Sequence, residues 1–166
     1  MRSARACAAE PAGRAAVIIR GATADDLGTI SATLEWAQLP FTDLQPENLR
    51  DFLVACAGDG ERPDVLGCIG LERFIDVGLL RSLVVVQSAR GTGLGAKLVA
   101  ELERFAAAAG VRELWLLTND ADAYFERFDY AVRVRDDAPA AIRQTEQFSA
   151  LCPDTAILMS RKLVAD

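Results

Sequence analysis

Leu83-Val84-Val85-Val86-Gln87-Ser88-Ala89-Arg90-Gly91-Thr92-Gly93-Leu94-Gly95 carries an apolar run into a glycine-rich turn. The valines favour a strand. Beyond Gly93 the period changes: Leu94, Leu98, Leu102, Phe105 and Ala109 recur at spacings of 4, 4, 3 and 4, one face of a helix that Gly110 ends. Strand, glycine turn and helix in that order can build an anion site. Glycines let the backbone turn tightly, the first N–H groups of the helix lack intrahelical partners, and the helix dipole adds about 0.3 to 1 kcal/mol per charge. Lys97 lies one turn further in. The same turn can equally do no more than cap a strand–helix junction. It is not a Walker loop, because no Gly-Lys-Ser/Thr follows, and it lacks the opening βαβ context of a dinucleotide fingerprint.

Working outward, residues 52–57, 65–74 and 77–86 read as three strands joined by short connections at Gly58-Asp59-Gly60 and Ile75-Asp76, which predicts an antiparallel meander. The strand at 111–118 follows a full helix, so it should lie parallel to the strand before that helix. Upstream, a strand at 15–20 precedes a helix started by Thr23 and carrying Leu27, Ile30 and Leu34, which should stop before Leu39-Pro40. Downstream, Asn119-Asp120 caps a helix with Tyr124, Phe125 and Phe128. A strand at 131–135, a helix opened by Asp137 and Pro139, and a closing strand at 155–163 complete the chain. The expected fold is α+β: a mixed, mostly antiparallel central sheet of about seven strands flanked by helices.

The chain has 166 residues, 51% hydrophobic and 25% charged, which suits one globular domain over 15–166 behind a flexible tail at 1–14. With 18 Lys and Arg against 24 Asp and Glu, a formal charge of −6 disfavours a general grip on nucleic acid or anionic lipid. No apolar run approaches a membrane span. Residues 1–14 lack the apolar core of a signal peptide. Histidine is absent, which removes Ser-His and Cys-His nucleophile pairs and His-based metal sites, and the four cysteines form no CxxC pair. Free thiols suit a reducing cytoplasm, and no metal is expected. The frequent alanines suggest a high-GC bacterial coding sequence.

Arg90-x-x-Gly93-x-Gly95 between an apolar strand and an amphipathic helix resembles the acetyl-coenzyme A pyrophosphate loop of GNAT-superfamily N-acetyltransferases, and the element order matches over residues 16–164. Leu80-Arg81-Ser82-Leu83, residues 113–118, Ala138-Pro139 through Arg143, and Phe148 through Cys152-Pro153 look like the arsenic-resistance N-acetyltransferase subgroup. The resemblance implies an acetyl-CoA-dependent enzyme that transfers acetyl to a primary amine of a small molecule. The backbone of Leu83, Val84 and Val85 would meet the pantetheine arm, with Val85 N–H polarising the thioester oxygen. Arg90, Gly91, Thr92, Gly93, Leu94, Gly95 and Ala96 would hold the pyrophosphate, and Phe125 would flank the donor. The superfamily's tyrosine general acid falls in the frame at Phe125, which has no proton to give, while Tyr124 should point roughly 100 degrees away around the helix. Tyr124 swings in, water serves, or the thiolate leaves unaided. Asp129 replaces the family's glycine.

For the amine half, Glu72 is the candidate base, against a solvated strand-end glutamate. Arg81 interrupts an apolar strand and needs a partner or an anion; Glu72 and Asp76 are equally placed to pair with it. With Arg143 it suggests a pocket for a small acidic amine, and the subgroup segments add Ser82 and Phe148 to that side. Cys68 and Cys152 could meet a thiophilic arsenical or be core residues, and Trp115 reads as core. A non-catalytic acyl-CoA or arsenical sensor is the alternative to an enzyme. A homodimer is compatible with a fold of this size.

Overall fold

The computed structural model describes residues 16–58 and 63–163. The tail at 1–14 and the hairpin turn expected at Asp59-Gly60 lie outside the described residues. Among the described residues, eleven helices and strands, interspersed with short 3-10 segments and one π turn, follow the expected order. They are β1 (Val17–Gly21), α1 (Leu27–Trp36), β2 (Phe52–Ala57), β3 (Asp64–Phe74), β4 (Val77–Val85), α2 (Leu94–Ala108), β5 (Glu113–Thr118), α3 (Asp122–Glu126), β6 (Ala131–Arg133), α4 (Ala140–Arg143) and β7 (Ile157–Lys162). The seven strands form one sheet in the order β1-β2-β3-β4-β5-β7-β6, parallel only between β4 and β5. The α+β fold with a mixed, mostly antiparallel sheet is therefore the one the sequence predicts. The expected helix after Asp137 is reduced to the single turn of α4, followed by a π turn at Gln147–Leu151. Asp129 takes a left-handed backbone with φ 63°, the conformation glycine adopts most cheaply.

Strand alternation divides the core between the two faces of the sheet. On β2, Phe52, Val54 and Cys56 pack with Ile30 and Leu34 of α1, while Ala55 packs with Leu94, Leu98 and Leu102 of α2. On β5, Leu114 and Leu116 join the α2 layer, and Trp115 turns to the other face with Ile142 and Leu158. β4 breaks its own alternation. Leu80 belongs to the α2 layer, whereas Val84, four residues on, belongs to the α1 layer. The cause is a bulge: Arg81 and Val84 are three residues apart, but their partners Gly70 and Cys68 are two apart. The extra residue, with Ser82 at φ 59°, exchanges the faces that follow it.

The arginine of this bulged strand is buried with its counter-ions. Arg81 is 4% exposed and donates Nη1–H to Asp43 and to Glu72 (2.6 Å), Nη2–H to Asp43 (2.7 Å), and Nε–H to the Ser82 hydroxyl (3.2 Å). Asp76, the other candidate partner, is used through its backbone carbonyl, which accepts from Arg112 N–H at 2.7 Å. The Asp43 contact ties the irregular segment between α1 and β2 to the centre of the sheet. Burial pushes the Asp43 carboxyl up, but the hydrogen bonds and charge of Arg81 outweigh it and hold the group below the ordinary carboxylate range.

Two outcomes follow from this packing. Because the folded Asp43 titrates below its unfolded value, its contribution is complete at neutral pH and is lost as pH falls through the lowered folded value. Removing one partner of a buried pair typically costs about 3 to 5 kcal/mol. Asp43→Ala should therefore lower the urea midpoint strongly at pH 7, and much less at pH 3. A Cβ at Gly70 would stand 2.3 Å from Cζ of the buried Phe52 ring. Gly70→Ala should cost about 1 to 3 kcal/mol by denaturant titration, and Phe52→Leu in the same chain should recover part of it.

Candidate functional site

Parallel pairing of β4 with β5 ends early. Its register covers only Val77, Gly78 and Leu79 against Glu113, Leu114 and Trp115, although β4 continues to Val85 and β5 to Thr118. Between the diverging halves lies a cavity of about 820 Å³, walled by Leu80 through Val85 on one side and Leu116 through Ala121 on the other. The turn before α2 forms one end of the wall, and Gln147, Leu151, Cys152 and Pro153 contribute from the segment before β7.

That turn presents a row of unused donors. Among the described residues, the backbone N–H groups of Gly91, Thr92, Gly93, Leu94, Gly95 and Ala96 make no hydrogen bond within the protein, and the first bond of the helix is Lys97 N–H to Gly93 O at 3.1 Å. Gly91 and Gly93 have φ 73° and 81°, which a side chain would strain, and a Cβ at either would meet no atom within 4 Å. The Thr92 hydroxyl donates to Ala89 O at 2.6 Å and fixes the turn. No acidic residue stands in the first turn of α2 and no side chain caps it, so the positive end of the helix is uncompensated. These features fit a diphosphate. Arg90 is turned the other way: its Nε–H donates to Val85 O at 3.0 Å and its guanidinium lies 5.3 Å over the Trp36 ring.

Tyr124 borders the cavity, the first of the alternatives the sequence leaves open. Its hydroxyl reaches over the start of α2, where a Cβ on Gly95 would lie only 2.5 Å from Oη, so the glycine makes room for the phenol. Phe125 also borders the cavity but is buried in the α2 layer, edge-on to Tyr124 and to Tyr130. Both positions of this five-residue helix meet the cavity. Burial pushes the Tyr124 phenol up, and Arg127, 5.1 Å from the ring centroid, offsets this in part. The phenol is therefore protonated at neutral pH.

The expected acceptor residues come together only in part: Arg81 is hydrogen-bonded to Glu72 and to Ser82, while Arg143 and Phe148 lie elsewhere. Arg81 and Ser82 border the cavity, but Glu72 does not; its carboxylate is held by Arg81. Arg143 is exposed on α4, because the single turn of that helix buries Ile142 and leaves the next position in solvent. Phe148 packs against the Trp115 layer with the Arg135 guanidinium 4.3 Å over its ring. Neither borders the cavity, so the pocket for an acidic amine expected from Arg81 and Arg143 does not form. Cys68 is buried beneath the bulge with Sγ donating to Ser82 O at 3.4 Å, and burial pushes its thiol up to about 12. Cys152 does border the cavity; burial raises its thiol, with Arg81 and Arg135 opposing. Sequence reasoning missed Asp43 and Gln147. The one signal for Asp43 was that a charge inside an apolar strand requires a partner.

Among the described residues no group of three or more His, Cys, Asp or Glu is placed to hold a metal, and no helix is long and apolar enough to cross a membrane. An uncharacterized N-acetyltransferase of Chlorobaculum tepidum is 32% identical over 85 residues; the chain spans about half the length of this curated relative, 52%, and 51% of the chain is matched. N-acetylglutamate synthase from Neisseria gonorrhoeae, crystallised with coenzyme A and N-acetyl-glutamate, superposes with a TM-score of 0.76 at 23% identity, covering 92% of this chain and 36% of that one. A Mycobacterium tuberculosis protein crystallised with CoA gives a TM-score of 0.73 at 20% identity over 89% of this chain and 99% of its own. At these identities the superpositions speak for the fold. The model of the acetyltransferase (GNAT) family matches residues 23–130, and on that match, across most of the sheet and both walls of the cavity, the chain belongs to the GNAT acetyltransferase family.

Proposed function

We propose that the chain transfers acetyl from acetyl-CoA to a primary amine of a small molecule. The observation that carries this reading is the row of six unpaired N–H groups, Gly91 to Ala96, at the end of a cavity opened by the parting of β4 and β5. Those groups would hold the pyrophosphate, and the released edge of Leu83, Val84 and Val85 would receive the amide-bearing arm as an added strand does. Acetyl-CoA supplies the activated acyl group as a thioester.

The chain's own task is then to orient two reactants and manage protons. Tyr124 Oη, protonated at neutral pH and close over Gly95, would give a proton to a departing thiolate. Glu72, the expected base, would accept the amine's proton through water, since it pairs with Arg81 and stands outside the cavity wall, which Asp120 borders. No covalent enzyme intermediate is required. The free thiols of Cys56, Cys68 and Cys152 suit a cytoplasmic setting. A role in arsenic resistance is supported by the resemblance of the segments around Arg81, Arg143 and Phe148–Pro153 to that subgroup.

Release of coenzyme A thiol in the presence of a panel of primary amines tests the activity. Tight coenzyme A binding with no transfer to any amine would instead support a sensor. Gly93→Val should raise the KM for acetyl-CoA by about tenfold or more, since a β-branched residue is costly at positive φ; an unchanged KM would remove the loop from the donor site. Tyr124→Phe should lower kcat by about a hundredfold with little change in donor KM.

A further inference from the structure

Three arginines border the cavity, and two of them are held by hydrogen bonds. Arg81 is buried and bonded to Asp43, Glu72 and Ser82. Arg90 is anchored through Nε–H on Val85 O, with its guanidinium over Trp36 at the end of α1. Arg127 is different. It follows α3 directly, is exposed, and makes no hydrogen bond and no ion pair among the described residues. Its guanidinium carbon lies 5.1 Å from the Tyr124 ring centroid and 5.8 Å from that of Phe128. Asp120 borders the cavity as well but does not pair with it, and Lys97 does not border the cavity. An arginine offers five donors in a planar fork that matches a phosphate or a carboxylate, and here the whole fork is uncommitted.

The Tyr124 ring fixes where this cation stands. Its hydroxyl reaches over Gly95 in the first turn of α2, and Arg127 lies on the same ring, so one aromatic ring separates the guanidinium from the row of unpaired N–H groups. A Cβ on Gly95 would also lie 3.7 Å from Val85 Cγ2. Arg81 is four residues back along β4, roughly 10 to 13 Å at about 3.3 Å per residue with one residue lost to the bulge. Arg127 therefore belongs to the donor end of the cavity. The six N–H groups and the helix dipole already serve a diphosphate there. Coenzyme A carries one more phosphate, a monoester on the ribose 3′ oxygen, one sugar away from the diphosphate. A monoester holds close to two negative charges, and no amide of the turn is left for it. With a formal charge of −6 the chain as a whole repels such a polyanion, so a free guanidinium at the rim supplies the attraction the rest of the surface lacks.

We propose that Arg127 is a specificity residue for the donor: it takes the ribose 3′-phosphate of acetyl-CoA, and the chain thereby selects acetyl-CoA over acetyl-dephospho-CoA. This rests on the acetyl-transfer reading above and deepens it at the donor end. The guanidinium donates a pair of charge-assisted hydrogen bonds to the monoester, while the Tyr124 and Phe128 rings support its flat face. Because the position is exposed, the phosphate keeps part of its hydration when it docks.

The test compares acetyl-CoA with acetyl-dephospho-CoA, which differ only in that phosphate, using the full chain and one amine. The native chain should show a KM about tenfold lower for acetyl-CoA, with similar kcat for both. Arg127→Gln should raise the acetyl-CoA KM to that of the dephospho donor and leave the dephospho KM where it was. Arg127→Lys, which keeps the charge and loses the fork, should recover part of the preference, and added salt should narrow it. Equal use of the two donors by the native chain overturns the proposal. So does an Arg127→Gln variant that weakens both donors alike, the result expected if the arginine reads the diphosphate or merely supports the Tyr124 ring. Calorimetric titration of CoA and dephospho-CoA without an amine separates this subsite from the acetyl-transfer reading. A preference for CoA that is lost in Arg127→Gln upholds the subsite even where no acetyl moves. Acetyl transfer from both donors with equal KM overturns the subsite alone, and no binding of CoA overturns both.

Discussion

Two parallel strands that stop pairing after three residues set the conditions for everything else in this molecule. β4 and β5 are held together at Leu79 and Trp115 by the packed layers above and below them, then part where β4 gains a residue at Ser82. Backbone groups released inside a protein must find other partners or a ligand, because an unpaired buried amide costs as much as a lost hydrogen bond. The cleft is therefore a demand for polar occupancy built into the centre of the sheet.

The bulge that opens the cleft also decides which side chains stand around it. By exchanging the faces of β4, it sends Val84 into the α1 layer and leaves Leu80 with α2. It also leaves Arg81 buried beside Cys68 and Ser82. A guanidinium in that position is stable only with anionic partners, and Asp43 and Glu72 arrive from two different segments to supply them. The cluster therefore fixes the loop after α1, whose residues 37–40 border the cavity, to the strand that carries the bulge. Strand geometry, loop position and cleft charge are one coupled arrangement.

The parts of this arrangement that were legible in the sequence are those that work through backbone. A glycine-rich turn between an apolar strand and a helix of clear period states its own geometry, because glycine content and spacing restrict φ directly, and Gly91 and Gly93 take the positive φ expected of such a turn. Element order was readable for the same reason, apart from the stretch after Asp137, where a weak helical pattern yields to two single turns. Side-chain encounters were not readable. Arg81 meets Asp43 across 38 positions, and no local pattern marks an aspartate in an irregular loop as the partner of a distant strand. Helical spacing left open whether Tyr124 turns toward the cleft, because a helix of five residues has neighbours rather than its own length to orient it, and both Tyr124 and Phe125 border the cavity. Arg143 was expected at the pocket on the subgroup resemblance alone, and α4 leaves it in solvent.

A division of labour follows from how the two ends of the cleft are built. At the donor end the contacts are main-chain N–H groups at the start of a fifteen-residue helix packed through Leu94, Leu98 and Leu102, so ligand geometry there is tied to the core itself. At the other end the wall is a π turn and a loop, and the polar groups include side chains. A substitution at that helix start has to disturb the packing of α2 to change much. At the second end, one side chain such as Gln147 can change the chemistry of the wall while every strand stays in register. The same fold can thus keep one reactant constant and vary the other, because main-chain geometry limits the first and side-chain identity the second.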